Sequence, residues 1–173
     1  GRWLATASFG GQVRVWELAT GKVIAEFAGI WFDAPWSVCL AFTHDGRHLV
    51  IGGVSSVPVV EAGTWNVLRQ LRASLALAAA RTAPVLVTLV GEVDDRTGRA
   101  ISSAVEVWDT ESWTSFSLPA KILSIANPYI TVSADGRFLA VSCADMRHAE
   151  VWDLSERKLV RYVPSEERIY SLA

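Results

Sequence analysis

The chain has little of what marks an enzyme, a membrane protein or a disulfide-built domain. Only two of its 173 residues are cysteines, Cys39 and Cys143, and both lie inside apolar strand-like runs (WSVCLAF and LAVSC). Such placement reads as buried thiols rather than a disulfide framework. Sixteen Lys and Arg against eighteen Asp and Glu leave a net charge of −2. That gives no basic face, so nucleic acid is not expected as a main ligand. The longest apolar run, LALAAA at 75–80, stops at Arg81 and is far too short to cross a bilayer. Residues 1–30 contain no charged-then-apolar leader, and a cytoplasmic location is the expectation.

Chemistry-bearing constellations are also missing. No two of the three histidines, His44, His48 and His148, have metal-ligand spacing with a cysteine or a carboxylate pair, so all three read as surface residues. Gly10-Gly11 and Gly52-Gly53 are followed by neither a helix pattern nor a Lys, which excludes phosphate loops. Asp94-Asp95 lies in GEVDDRTGR, which lacks calcium-loop spacing and reads as a solvated loop. The serines at 102, 103, 115 and 117 have no nucleophile-elbow context. No catalytic residue, cofactor or metal is expected, and the chain is not read as an enzyme.

What is present is repetition. Apolar residues make up 51% and charged residues 20%, a globular composition. GRWLATAS at 1–8 returns as GRHLVIGG at 46–53 and as GRFLAVSC at 136–143. VRVWELATGKVIAEF at 13–27 returns at 57–71, 105–118 and 149–163, with anchors at Trp16, Val60, Trp108 and Trp152. The anchor spacings are 44, 48 and 44 residues. A fixed period of this size marks a chain built from copies of one supersecondary unit. There are four copies, approximately 1–42, 43–79, 80–133 and 134–173.

Each copy reads as four short strands, a to d. VRVW and VEVW alternate apolar with polar, the pattern of a strand with one face more buried. LATAS, LVIGG, PVLVTLV and LAVSC are more apolar, as expected of strands covered on both faces. Asp45-Gly46 and Asp135-Gly136 mark hairpins, and Gly10-Gly11 does the same between 4–8 and 13–16. ASLALAAAR at 74–82 has some helical character, but its place in the repeat calls for strand a. Pro58 inside strand c of the second copy removes a ladder donor and predicts a bulge or weak pairing. Trp65 and Trp113 both stand five residues after an anchor, so they read as structural packing near the turn from c to d.

The motifs VWE at 15–17 and VWD at 107–109 and 151–153, with FTHDGRHL and VSADGRFL, resemble the WD-repeat β-propeller family. The resemblance covers essentially the whole chain. It implies an all-β fold of four-stranded antiparallel blades, four of them here, within a larger seven- or eight-bladed ring completed by the same polypeptide. RIYSLA at 168–173 then reads as strand a of a further copy, the kind of strand that latches such rings. The departures are Val60 in place of the anchor Trp, the missing Asp-Gly turn of copy 3, and the lack of a Gly-His pair in any copy. The buried His-Ser/Thr-Asp-Trp network of well-formed members cannot be assembled, so the copies are expected to hold together by packing alone.

In this family the loops from d to a and from b to c share one face, and here those loops vary most. AGIWFDAPW at 28–36 carries Trp31, Phe32, Asp33 and Trp36, which either tuck over the rim between blades or anchor a partner. The insertion at 91–103 carries Asp94, Asp95 and Arg96; ADMRHAE at 144–150 carries Arg147 and His148; PSEERIY at 164–170 carries Glu167 and Arg168. A mixed-charge face with an aromatic patch suits protein or peptide partners. The resemblance implies a non-catalytic interaction scaffold. The alternative is a sensor or substrate-gating propeller within a larger kinase, hydrolase or quinoprotein-like oxidoreductase polypeptide.

Overall fold

The computed structural model describes residues 1–8, 11–28, 39–53, 56–72, 74, 76–93, 100–118, 129–142, 147–169 and 171–172, with side chains outside 91–93 and 100–103. Among them are fifteen strands and no helix. The strands form four antiparallel sheets in chain order. The first has three strands, β1 (Trp3–Ala7), β2 (Val13–Glu17) and β3 (Lys22–Phe27). The second has β4 (Leu40–Phe42), β5 (His48–Ile51), β6 (Val57–Glu61) and β7 (Val67–Leu71). The third has β8 (Ala76–Ala79), β9 (Val85–Val93), β10 (Ala100–Asp109) and β11 (Ser115–Leu118). The fourth has β12 (Ile130–Val132), β13 (Phe138–Ser142), β14 (His148–Asp153) and β15 (Lys158–Pro164). The stretch with helical character is β8, because its place opposite β9 supplies a ladder that an isolated apolar run lacks.

The sheets stack face to face, and the core lies between them as three apolar clusters. Val13 and Val15 of the first sheet meet Leu49, Ile51 and Val60 of the second. Val50, Val57, Val59 and Leu71 of the second meet Leu77, Leu86 and Trp108 of the third. Val87, Leu89, Val105 and Val107 of the third meet Leu139, Val141 and Trp152 of the fourth. Strand β4 lies against β1 and β8, and β8 lies against β12, so the first strands of successive sheets form a row. The sheets do not close on themselves.

The register makes the copies equivalent. The anchors Trp16, Val60, Trp108 and Trp152 stand opposite Leu4, Leu49, Leu86 and Leu139. Between strands c and d of three sheets, one extra residue interrupts the ladder just before the anchor pair. These residues are Ile24, Leu68 and Val160. Pairing between β5 and β6 stops at Val59, one residue short of Pro58, which has no N–H to continue it.

Two of the a-to-b turns are built alike. Asp45 Oδ1 accepts from the Thr43 hydroxyl (2.6 Å) and the Arg47 amide (3.0 Å). Asp135 Oδ1 accepts from the Ser133 hydroxyl (2.5 Å) and the Arg137 amide (3.1 Å). Gly46 and Gly136 follow at φ 68° and 74°. The third sheet lacks this turn, and residues 81–84 lean on the fourth sheet instead. The amide and hydroxyl of Thr82 both donate to the Ala134 carbonyl at 2.8 Å. A Cβ at Gly136 would lie 2.8 Å from Val85 Cγ2, so this glycine is required by space as well as by φ.

The turns from c to d recur in all four sheets. The amide two residues after the anchor donates across to the residue just before strand b. The pairs are Leu18 to Arg2 (3.0 Å), Ala62 to Arg47 (2.8 Å), Thr110 to Pro84 (2.8 Å) and Leu154 to Arg137 (2.8 Å). Proline can stand in for Arg in the third sheet because only its carbonyl is used. Five residues after each anchor the backbone is left-handed: Gly21 (φ 66°), Trp65 (61°), Trp113 (55°) and Arg157 (54°). A non-glycine residue there costs about 1–2 kcal/mol, and each of the three offsets this by reaching the preceding sheet. Trp65 meets Trp3 edge-on at 5.2 Å, Trp113 meets His48 edge-on at 5.3 Å, and the Arg157 guanidinium lies 4.1 Å from the Phe116 ring centre. Trp65 and Trp113 are thus structural, as their recurrence predicts.

Three sequence expectations are corrected. Packing is not alone in holding each copy together. Trp16 and Trp108 donate through Nε1 to Thr6 (2.8 Å) and Thr88 (3.0 Å), and Trp152 donates to Glu150 Oε2 (2.8 Å). These partners come from cross-strand register or from two residues upstream, not from the family network. Second, His44 and His48 are not surface residues. Both are half-buried, and their Nδ1 atoms are enclosed without a hydrogen-bond partner. The third sheet covers them, which strand patterning within one copy does not reveal. Third, residues 168, 169, 171 and 172 of RIYSLA form no strand. A strand needs a ladder partner, and among the described residues no pairing joins this segment to the free edge of β1.

Candidate functional site

An antiparallel meander sends alternate connections to opposite ends. The turns from a to b and c to d occupy one end, and the loops from b to c and d to a occupy the other. Backbone hydrogen bonds tie the loops of a sheet together at that second end. Ser74 N donates to the Gly53 carbonyl (3.1 Å), and Ser165 N donates to the Arg147 carbonyl (2.7 Å). His148 opens β14 opposite Pro164, the last residue of β15. The structure therefore brings Arg147 and His148 beside the start of the segment carrying Glu167 and Arg168. All four are exposed. Trp31, Phe32, Asp33, Trp36, Asp94, Asp95 and Arg96 lie outside the described residues.

These exposed positions carry two guanidinium groups, a carboxylate and an imidazole. Such groups exchange charge-assisted hydrogen bonds with polar side chains and exposed backbone of a partner. Across the described residues no group of three or more His, Cys, Asp or Glu side chains could hold a metal ion. No helix of these residues is long and apolar enough to cross a membrane.

The turn end carries the perturbed carboxylates. Asp153 is held down to about 2, first by the Ser155 hydroxyl at 2.6 Å, then by the Glu156 amide and the Arg137 guanidinium, with desolvation working the other way. Asp109 is lowered chiefly by the Ser112 amide, with the Glu111 amide adding to it, and Asp135 chiefly by the Ser133 hydroxyl. These carboxylates cap turns; the hydrogen bonds that lower them are local and structural. Glu17 and Glu61 replace the turn aspartates in the first two sheets, accepting from the Thr20 (3.0 Å) and Thr64 (2.6 Å) hydroxyls.

Some polar residues are buried in ways the strand pattern did not reveal. Glu106 is only 7% exposed, although alternation in VEVW places it on the more exposed face. An interior sheet is covered on both faces, and Arg72 of the second sheet reaches Glu106 Oε1 at 3.4 Å. Thr110 is buried with its hydroxyl unpaired, at the junction where Trp113 meets His48. Cys39 sits against Gly52 and Leu77, and burial raises its thiol pKa, as a structural thiol requires. Cys143 lies outside the described residues. No known family model matches the chain, and no curated protein is significantly similar to it.

Proposed function

We propose that the chain is an arc of a β-propeller of the WD-repeat kind and acts as a non-catalytic scaffold that presents its loop end to protein or peptide partners. In this reading the remaining blades belong to the same polypeptide, and the compartment is the cytoplasm. One contrast between the two ends carries the proposal. At the turn end, all four sheets repeat the same hydrogen bond from the c-to-d turn to the residue just before strand b. At the loop end, the copies differ in length, charge and aromatic content. Repeated contacts serve the fold, and variable loops on a rigid frame serve recognition.

Photo-crosslinking groups placed at Arg147 and Glu167, and separately at Gly21 and Ser112, test this reading. Capture of one defined partner from the loop-end positions alone supports it. Capture from the turn end, or equally from both, overturns it. Replacing both Trp31 and Trp36 by Ala is expected to abolish that capture while leaving the far-UV circular dichroism unchanged.

A further inference from the structure

Each junction between sheets uses one device. A left-handed residue in the c-to-d turn of one sheet lays its side chain on the preceding sheet. Trp65 of the second sheet uses Trp3 of the first, and Trp113 of the third uses His48 of the second. In these two junctions the receiving rings share a register position, each opposite the residue that follows the anchor: Trp3 opposite Glu17 and His48 opposite Glu61. In the third, Arg157 reaches Phe116, opposite Val107, instead. Phe138 of the fourth sheet holds the position of Trp3 and His48, opposite Asp153. It is 36% exposed, and no side chain from a following turn meets it. The surrounding face repeats the pattern. Val15, Val59 and Val107 are buried under the next sheet, whereas Val151, at the same register, is only half-buried.

We propose that the outer face of the fourth sheet, centred on Phe138, docks a further four-stranded sheet of the same polypeptide, which places an aromatic or arginine side chain from its c-to-d turn on that ring. The proposal rests on the propeller reading and adds to it a contact point and a chemical requirement. A second copy of this chain does not supply that side chain. The first sheet has Gly21 where Trp65, Trp113 and Arg157 stand in the others, and so has no side chain to offer. The requirement is thus set by the contrast between three filled turn positions and one empty one.

Gly21→Trp turns the chain into its own probe, because a Cβ at position 21 meets nothing within 4 Å. Gly21→Arg is the second variant, should the indole prevent folding. Sedimentation velocity is expected to show head-to-tail association tightened about tenfold over the parent, the gain an aromatic pair of this geometry gives. Adding Phe138→Ala is expected to return association to the parent level. No tightening in either variant, or tightening that survives Phe138→Ala, overturns the docking proposal. Small-angle scattering of the assembled species separates the two readings. A curved, closing assembly supports both, and a straight stack that still depends on Phe138 keeps the docking contact and overturns the propeller.

Discussion

Leu4 and Leu139 sit at one register position in two sheets, each opposite an anchor tryptophan, and they meet different fates. Leu139 is fully buried, as are Leu49 and Leu86 at the same position, while Leu4 is 49% exposed. The strand, the neighbours in sequence and the cross-strand partner are alike. The difference is the preceding sheet, which Leu139 has and Leu4 lacks among the described residues. Full burial of a leucine side chain is worth about 1.5–3 kcal/mol, so the same local sequence contributes very unequally along the arc. Repeat architectures store much of their stability in such interfaces between units.

Leu139→Ala opens a cavity between two sheets and is expected to lower stability by about 2–5 kcal/mol in urea denaturation. Leu4→Ala is expected to change it by no more than about 0.5 kcal/mol, as for surface substitutions elsewhere. Equal effects would break the comparison. Gly136→Ala and Gly46→Ala both place a side chain at positive φ, which costs about 1–2 kcal/mol. Only the first also collides with Val85, so a larger loss at 136 sharpens the case that the fourth turn is an interface. Thr88→Val removes the acceptor of the Trp108 indole between two sheets and is expected to cost about 1–3 kcal/mol. Thr6→Val does the same to Trp16 on the open face, where water replaces the partner, and a near-zero change is expected there.

Acidity gives an effect confined to low pH. The folded-state pKa of Asp153, about 2, lies below its ordinary 3.8. Its contribution is therefore present above pH 3.8 and is lost as pH falls toward 2. Asp153→Asn is expected to flatten the loss of stability in that window while leaving the slope between pH 5 and 7 unchanged. An unchanged acid limb would show that the Ser155, Glu156 and Arg137 contacts do not favour the carboxylate.

The elements most legible in the sequence were those set by local chemistry. Asp45-Gly46 and Asp135-Gly136 announced hairpins because only a few residue pairs suit such turns. The recurrence of Trp65 and Trp113 five residues after an anchor marked them as structural before their left-handed backbone was known. The repeat identified β8 as a strand against its own helical character. Less legible were features created by contact between copies. Glu106 and His48 look solvent-facing within one copy, and each is covered by a neighbouring sheet. The indole partners Thr6 and Thr88 lie ten and twenty residues before their tryptophans, a distance that only register resolves. At the candidate site, charge and variability pointed to Arg147, His148, Glu167 and Arg168. That the two loops exit side by side followed from the pairing of His148 with Pro164.

The sequence by itself determined the period, the strands and their turns, because backbone preference and hydrogen bonding to the next few residues act over short distances. The tertiary structure decided which of four equivalent leucines became core, which glycine had to stay a glycine, and which ring was left exposed. Those outcomes depend on burial, and burial belongs to the neighbouring sheet rather than to the segment itself.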